Sequence, residues 1–365
     1  MDPFEKESEG AWSKKTKVPG NEKIERSERM KRLLVLGLVL SLLFLFTGCG
    51  EKSPDQMEPP EDSPVAAAPP ETPAKNGDVF NQLTGEYVVK AIPLIAVMIN
   101  NHPKARPQTG LAEADLVYEV EAEGLITRFL AFFHGDPPEN VGPVRSTRPY
   151  YMELSQGFGA YLAHVGGSND AYAKLAEWKV PHMDDVTGWQ NGGFWLDKSR
   201  NRPHNTYLNL AKTLQNKEDQ GRYPQWDFSG TPTDQPDYTR VSVPYAGDYR
   251  PEWLFDQKTG WYLRYLDGEA WVDRETKTQV AAANVIIQYA SHRVLNDADH
   301  HLEIDLTGEG RAEYFLGGTY QEGTWSKKGL NEPINYYDPA GKPVALVPGP
   351  TWVQVVRTGS SIEKN

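Results

Sequence analysis

Residues 33–46 read LLVLGLVLSLLFLF, a 14-residue apolar run preceded by Lys31 and Arg32 and followed by Thr47, Gly48 and Cys49, the only cysteine among 365 residues. A bilayer-crossing helix needs about 20 apolar residues, so this run is too short to span. It is no buried core helix either, because the acidic, proline-rich sequence after it has nothing to pack on it. A basic n-region, an apolar h-region and a small-residue cleavage site make a secretory signal peptide. Residues 1–29 are hydrophilic and long for an n-region, and Met30 stands directly before Lys31. Met30 is the expected start, the alternative being that 1–29 is a cytoplasmic tail removed with the signal peptide; either way 1–29 is an N-terminal extension outside the fold and 30–48 the signal peptide. A single cysteine also excludes an internal disulfide framework, a thiolate zinc site and an iron–sulfur site.

The end of the run, Phe46-Thr47-Gly48-Cys49, resembles the lipobox of bacterial lipoproteins, with Phe46 where such boxes usually carry Leu. The resemblance implies that Cys49 is acylated and becomes the first residue of the mature chain. Its lipid would hold the protein on the extracytoplasmic face of the bacterial cell membrane. Several acyl chains on one residue anchor stably, where a single myristoyl chain binds only marginally. Residues 50–76 carry seven prolines (Pro54, Pro59, Pro60, Pro64, Pro69, Pro70, Pro73) among Glu, Asp, Ala and Ser. That composition predicts a disordered, extended tether over 49–76, with a reach of about 3 Å per residue.

The chain is 24% charged and 39% hydrophobic, which excludes collagen, coiled coil and multi-pass membrane protein. Formal charge is −12; residues 1–48 hold nine Lys/Arg and seven Asp/Glu, so the remainder carries 29 against 43, a net −14. Such an acidic body argues against nucleic acid or anionic lipid as the main partner. Residues 77–365 are long enough for two domains, and their texture changes near 235. Before it, apolar runs of strand character (94–99, 116–122, 126–133, 160–165) mix with helical stretches at 148–157 and 169–178. After it come short strand-like segments at 261–266, 284–289, 302–306, 312–316, 319–325 and 352–356, separated by Gly, Asp and Pro. The fold class read from this is α+β: an N-terminal mixed α/β domain over 77–235, then a mostly β C-terminal domain over 236–365.

Four polar constellations precede residue 210. In DLVYEVEAEGLITRFLAFF, alternation puts Glu119, Glu121 and Glu123 on one strand face, and a two-residue turn at Gly124-Leu125 would set Glu121 opposite Arg128. Arg128 sits in an otherwise apolar strand, so it is either a buried structural partner of a glutamate or part of a carboxylate-rimmed pocket in which one acid stays protonated. In GPVRSTRPYY, Arg145 and Arg148 flank Ser146 and Thr147 just before a helix with Pro149 in its first turn. They either bind an anion or clamp the acidic hairpin. Next, the strand through His164 runs into Gly166, Gly167 and Ser168 at a helix start, an anion-friendly place that is equally read as ordinary turn geometry with a half-buried histidine. The basic loop 198–205, with Arg202 and His204, is either a solvated face or a cover for the same pocket. Asp297, Asp299, His300, His301, Glu303 and Asp305 lack metal-site spacing and read as a solvated turn, so no metal and no cofactor is expected. Ten tryptophans and eighteen tyrosines could form sugar-stacking platforms, although aromatic residues serve cores first.

PLIAVMINNHPKARPQTGLAEADLVYEVEAEGLITRFLAFF, then GPVRSTRPYY, then AHVGGS, resembles the YerB-like lipoproteins of Gram-positive bacteria. DGEAWVDRETKTQVAAANVIIQ and the closing PGPTWVQVV resemble that family's C-terminal domain. The resemblance implies a two-domain lipoprotein and supplies no catalytic residue. Two function classes stay open. The favoured one is a non-catalytic binding or adaptor protein for a wall component, a soluble ligand or an envelope protein. Its anion- or glycan-binding cleft would be built where Arg128, Arg145, Ser146, Arg148, His164, Gly166, Gly167, Ser168, Arg202 and His204 converge. The alternative is a cell-wall glycan or peptide hydrolase or transferase with Glu119 or Glu123 and His164 as acid and base. A transporter's solute-binding lipoprotein is disfavoured by the unlike halves.

Overall fold

The computed structural model describes residues 78–186, 193–245 and 247–365. The N-terminal extension, the signal segment, Cys49 and the tether lie outside the described residues. From residue 91 the chain forms β1 (Ala91–Asn100), β2 (Leu116–Ala122) and β3 (Ile126–Gly135), then α1 (Pro149–Phe158), β4 (Tyr161–His164), α2 (Asn169–Trp178) and β5 (His182–Asp184). β6 (Arg240–Ser242), β7 (Pro251–Asp256) and β8 (Trp261–Leu266) follow, then β9 (Asn284–Ala290), β10 (Gly308–Leu316), β11 (Thr319–Lys327), β12 (Asn335–Tyr337) and β13 (Thr351–Arg357). The described chain is mostly β, including the whole stretch after residue 235, and its two ten-residue helices fall before residue 180.

β1 and β3 are apolar at almost every position, so a sheet containing them must be covered on both faces. They lie inside a ten-stranded sheet of order β12-β11-β10-β9-β13-β2-β3-β1-β4-β5. α1 and α2 cover one face: Tyr150, Tyr151, Leu154 and Phe158 pack on Met98, Tyr118, Leu130 and Phe132. The smaller antiparallel sheet of β6 to β8 covers the other, with Val241, Trp253, Phe255 and Tyr262 against Val117, Phe129, Ile287 and Trp352. β13 runs parallel to both its neighbours, β9 and β2, with Val353 level with Ile286 and Tyr118. Strands from both sides of residue 235 therefore share one hydrogen-bonded sheet.

Local chemistry sets the helix ends beside the site. Pro149 occupies the first turn of α1, where its missing N–H costs nothing, and Gly159 takes the left-handed conformation (φ 66°) that closes it. The Ser168 hydroxyl caps α2 by accepting from the Ala171 N–H.

The β2–β3 hairpin corrects the expected pairing. Its connection is residues 123–125, with Gly124 and Leu125 both at positive φ (78° and 58°), and Glu121 lies opposite Thr127 while Val120 lies opposite Arg128. A shift of one residue exchanges sheet faces. Arg128 accordingly shares the helix-covered face with Leu130 and Phe132, and Glu119 and Glu121 point to the other.

Candidate functional site: a cationic corner at strand ends

β1, β4 and β5 run parallel, and Asn100, His164 and Asp184 end them. Crevices at the carboxyl ends of parallel strands are where open sheets hold ligands. The segment before α1 is stitched across these ends. Arg145 N–H donates to Met98 O at 2.8 Å, Val165 N–H to Arg145 O at 3.1 Å, and Thr147 N–H to Gly166 O at 3.0 Å. Ser146 Oγ donates to Val165 O at 3.0 Å. Gly166 has φ +78° and a Cβ there would sit 3.3 Å from Ser146 Oγ, so this turn favours glycine. Arg145, Ser146, Arg148, Gly166, Gly167 and Ser168 are thereby brought to one corner.

Positive charge dominates it. Glu123 accepts from Arg128 Nη2 at 2.6 Å, from Arg148 Nε at 3.2 Å and from Arg148 Nη2. Arg128 also donates to Ser146 O at 3.1 Å, and Arg148 to Thr147 O at 2.6 Å. Burial alone would raise the Glu123 carboxyl, but the Arg128 and Arg148 charges outweigh it and hold it at about 2. Arg145 is half-buried, and among the described residues its guanidinium has no hydrogen-bond or ion-pair partner. Burial, then the like charges of Arg128 and Arg148, make its protonation less favourable, with Glu123 opposing. His204 accepts from Asn100 Nδ2 at 2.9 Å and stacks on His102 with ring centroids 4.8 Å apart. Burial, with neighbours that include Arg145 and Lys104, pushes both imidazoles down.

The Glu123 triad carries a pH signature. Its folded carboxyl, held at about 2, lies below the ordinary glutamate value of 4.5, so its contribution is complete above about 4.5 and is lost as pH falls toward 2. After allowance for water reaching the side chain, wild type should exceed Glu123→Gln by about 2 kcal/mol at pH 6. Urea melts of both chains should converge between pH 4.5 and 2; a gap that persists at pH 2 would contradict this origin.

Other expected site residues lie elsewhere or act internally. His164 is fully buried, and because a carbonyl can only accept, its Nδ1–H donates to Gly166 O at 2.9 Å. Its Nε2 must then accept from His182 Nδ1–H at 3.0 Å. Burial pushes both imidazoles down, the Asp184 charge opposing, so the pair is neutral near pH 7. Asp184 accepts from Gly166 N, Val186 N and Tyr172 Oη, so this network braces the glycine turn from inside. Arg202 is exposed, with no hydrogen bond into the corner among the described residues. Its loop is pinned by Arg200, which donates to the Lys104 and Pro107 carbonyls, and by the Arg274–Asp197 pair at 2.5 Å.

Two family models match the chain. The N-terminal domain of "Protein of unknown function (DUF3048)" matches residues 83–223, and its C-terminal domain residues 241–353. The chain belongs to the DUF3048 family. A relative, "Putative lipoprotein YerB" of Bacillus subtilis (strain 168), is 33% identical over 337 residues, covering 90% of this chain and 96% of the relative. The crystal structure of YerB from Bacillus subtilis matches with a TM-score of 0.69 and 34% identity, covering 78% of this chain and 100% of that one.

In this DUF3048 chain the remaining acids have structural partners. Glu119 and Arg264, both fully buried, form an ion pair at 2.8 Å. Thr127 Oγ1 and Tyr249 Oη donate to Glu119 at 2.8 and 2.7 Å, and Trp352 Nε1 at 3.3 Å. The guanidinium lies 4.5 Å from the Trp352 ring centroid and 5.1 Å from those of Trp253 and Trp271. Glu121 takes Arg357 in a two-pronged pair at 2.9 and 2.8 Å, in place of the expected Arg128. His102, His182, Arg264 and Arg357 escaped sequence reasoning. His102 alone carried a local signal, standing between Asn101 and Pro103 at the end of an apolar strand. The acidic set 297–305 lies beside an exposed hairpin in which His301 is tied to Asp297 at 2.8 Å. Among the described residues no helix is long and apolar enough to cross a membrane.

Proposed function

We propose that this chain is a lipid-anchored binding lipoprotein of the extracytoplasmic membrane face, which captures an anionic group of a cell-wall or envelope component in the corner around Arg145. The observation that carries this is the half-buried Arg145 guanidinium, unpartnered among the described residues and flanked by Arg128, Arg148, His102 and His204, in a body of charge −14. Holding like charges together is unfavourable unless something supplies the missing negative charge. Phosphate, sulfate and carboxylate all suit a guanidinium fork. The lipobox-like Cys49 and the lipoprotein name of the relative support the anchor. Glu123 is held ionised by two arginines and Glu119 is enclosed, which favours binding over acid catalysis.

The test is thermal unfolding of the mature chain with phosphate, sulfate, short carboxylates and wall fragments. A bound anion at a hundred times its Kd should add about 2.7 kcal/mol, a shift of a few degrees. Arg145→Ala should abolish the shift while raising ligand-free stability by about 0.5–1 kcal/mol, since function and stability oppose each other at such a site. An undiminished shift in Arg145→Ala would remove the corner as the site. Cys49→Ser should release the protein from the membrane fraction, and retention there would remove the anchor.

A further inference from the structure

A second concave site lies apart from the corner, where the strap of residues 222–228 crosses the end of the ten-stranded sheet. The strap is fixed at both ends. Arg222 N–H donates to Phe158 O at 2.6 Å, and Leu346 N–H donates to Asp227 O at 2.7 Å. Between strap, edge strand β12 and the turn before it is a cavity of about 490 Å³, within the range of ligand clefts, lined by Trp226, Tyr336 and Tyr337 and rimmed by Gln225, Lys328 and Glu332.

The lining divides into two chemical kinds. Trp226 donates its only N–H to Ile334 O at 3.2 Å and is wedged between Phe158 and Tyr336, so it offers the cavity rigid carbon surface. By contrast, the side chains of Gln225, Lys328 and Glu332 and the Tyr337 hydroxyl have no hydrogen-bond partner among the described residues. A rigid aromatic wall ringed by free donors and acceptors matches a ligand with apolar ring faces and hydroxyls around its perimeter. Of the three charged lining residues, Arg222 is spent on the Gln156 and Gly157 carbonyls with the Glu332 charge beside it, which leaves Lys328 as a single exposed charge, so the rim does not select a strongly charged ligand. A peptide added as an extra strand would need an open strand edge. β12 has none to spare there, because Val344 N–H already donates to Tyr336 O at 3.1 Å and Pro343 bridges Tyr337.

We infer that the cavity between the 222–228 strap and β12 is a carbohydrate-binding site for a short, neutral oligosaccharide. It uses no residue of the cationic corner, so it and the anion reading stand or fall separately.

The test titrates the full mature chain with N-acetylglucosamine trimer, following tryptophan fluorescence and saturation-transfer NMR, with a proline-rich peptide as the competing ligand. Saturable binding of the trimer is expected, weakened at least about tenfold, or 1.4 kcal/mol, by Gln225→Ala combined with Tyr337→Ala. Arg145→Ala should leave it unchanged. The melting temperature of the double variant reports whether it still folds; if it does not, Gln225→Ala alone, at an exposed position, carries the comparison. No trimer binding, binding indifferent to the folded rim variants, or preferential binding of the peptide would each overturn the assignment.

Discussion

A chain ending at Pro350 should show no cooperative unfolding transition. It lacks β13, which pairs with β9 on one side and β2 on the other, and also the short strand Glu363–Lys364 that pairs with β6. Trp352, Val353, Val355 and Val356 are all at most 2% exposed. At about 1.5–3 kcal/mol for each buried side chain, their loss approaches the 5–15 kcal/mol that holds a whole domain together. The edges of β9, β2 and β6 would also lose their partners and become sites for aggregation. Lys364 leaves with the tail, so the buried Glu313 carboxylate keeps Arg311 but loses the second of the two cations that it meets at 2.7 Å. Near-UV circular dichroism and a thermal melt decide it. Native-like aromatic signals with a sharp melt in the shortened chain would mean that the two halves fold without their shared strand.

Arg264→Met should lower stability by about 3–5 kcal/mol, the usual result of leaving one member of a buried ion pair alone. Glu119 would remain fully enclosed with its charge unmatched. The aromatic rings around the guanidinium cannot compensate a carboxylate, because their faces carry partial negative charge. The Gln354 amide, oriented to donate to Glu119 and to accept from Arg264 and Trp253, would lose an Arg264 bond of 3.2 Å as well. In a body of this size the drop corresponds to about 6–15 °C in melting temperature. Adding Glu119→Gln should recover a large part of it, since an apolar or neutral replacement of a whole buried pair is far less costly than breaking it. A single variant melting within about a degree of wild type, checked by calorimetry, would mean that this pair contributes little.

Much of the element order is legible in the sequence. The runs 116–122, 169–178 and 261–266 coincide with β2, α2 and β8, because period-2 and period-3.6 patterns are local properties of the chain. The cationic corner was partly legible too: Arg145, Ser146, Arg148 and the Gly166 turn lie on adjoining segments that local signals had already singled out. Arg202 did not join them, because a basic residue on a loop carries no information about which way the loop is pinned.

What the sequence alone determined was periodicity, capping, the acidic charge balance and the signal-like N-terminal run with its lone Cys49. The tertiary structure decided register and partnership. Glu121 found Arg357, 236 residues away, and Glu119 found Arg264, 145 residues away. It also put the C-terminal strand β13 between β9 and N-terminal β2. Alternation says that a side chain lies on one face of a strand; which charge waits on that face depends on the strand or sheet that closes over it, and contacts between distant segments form only when the whole sheet assembles.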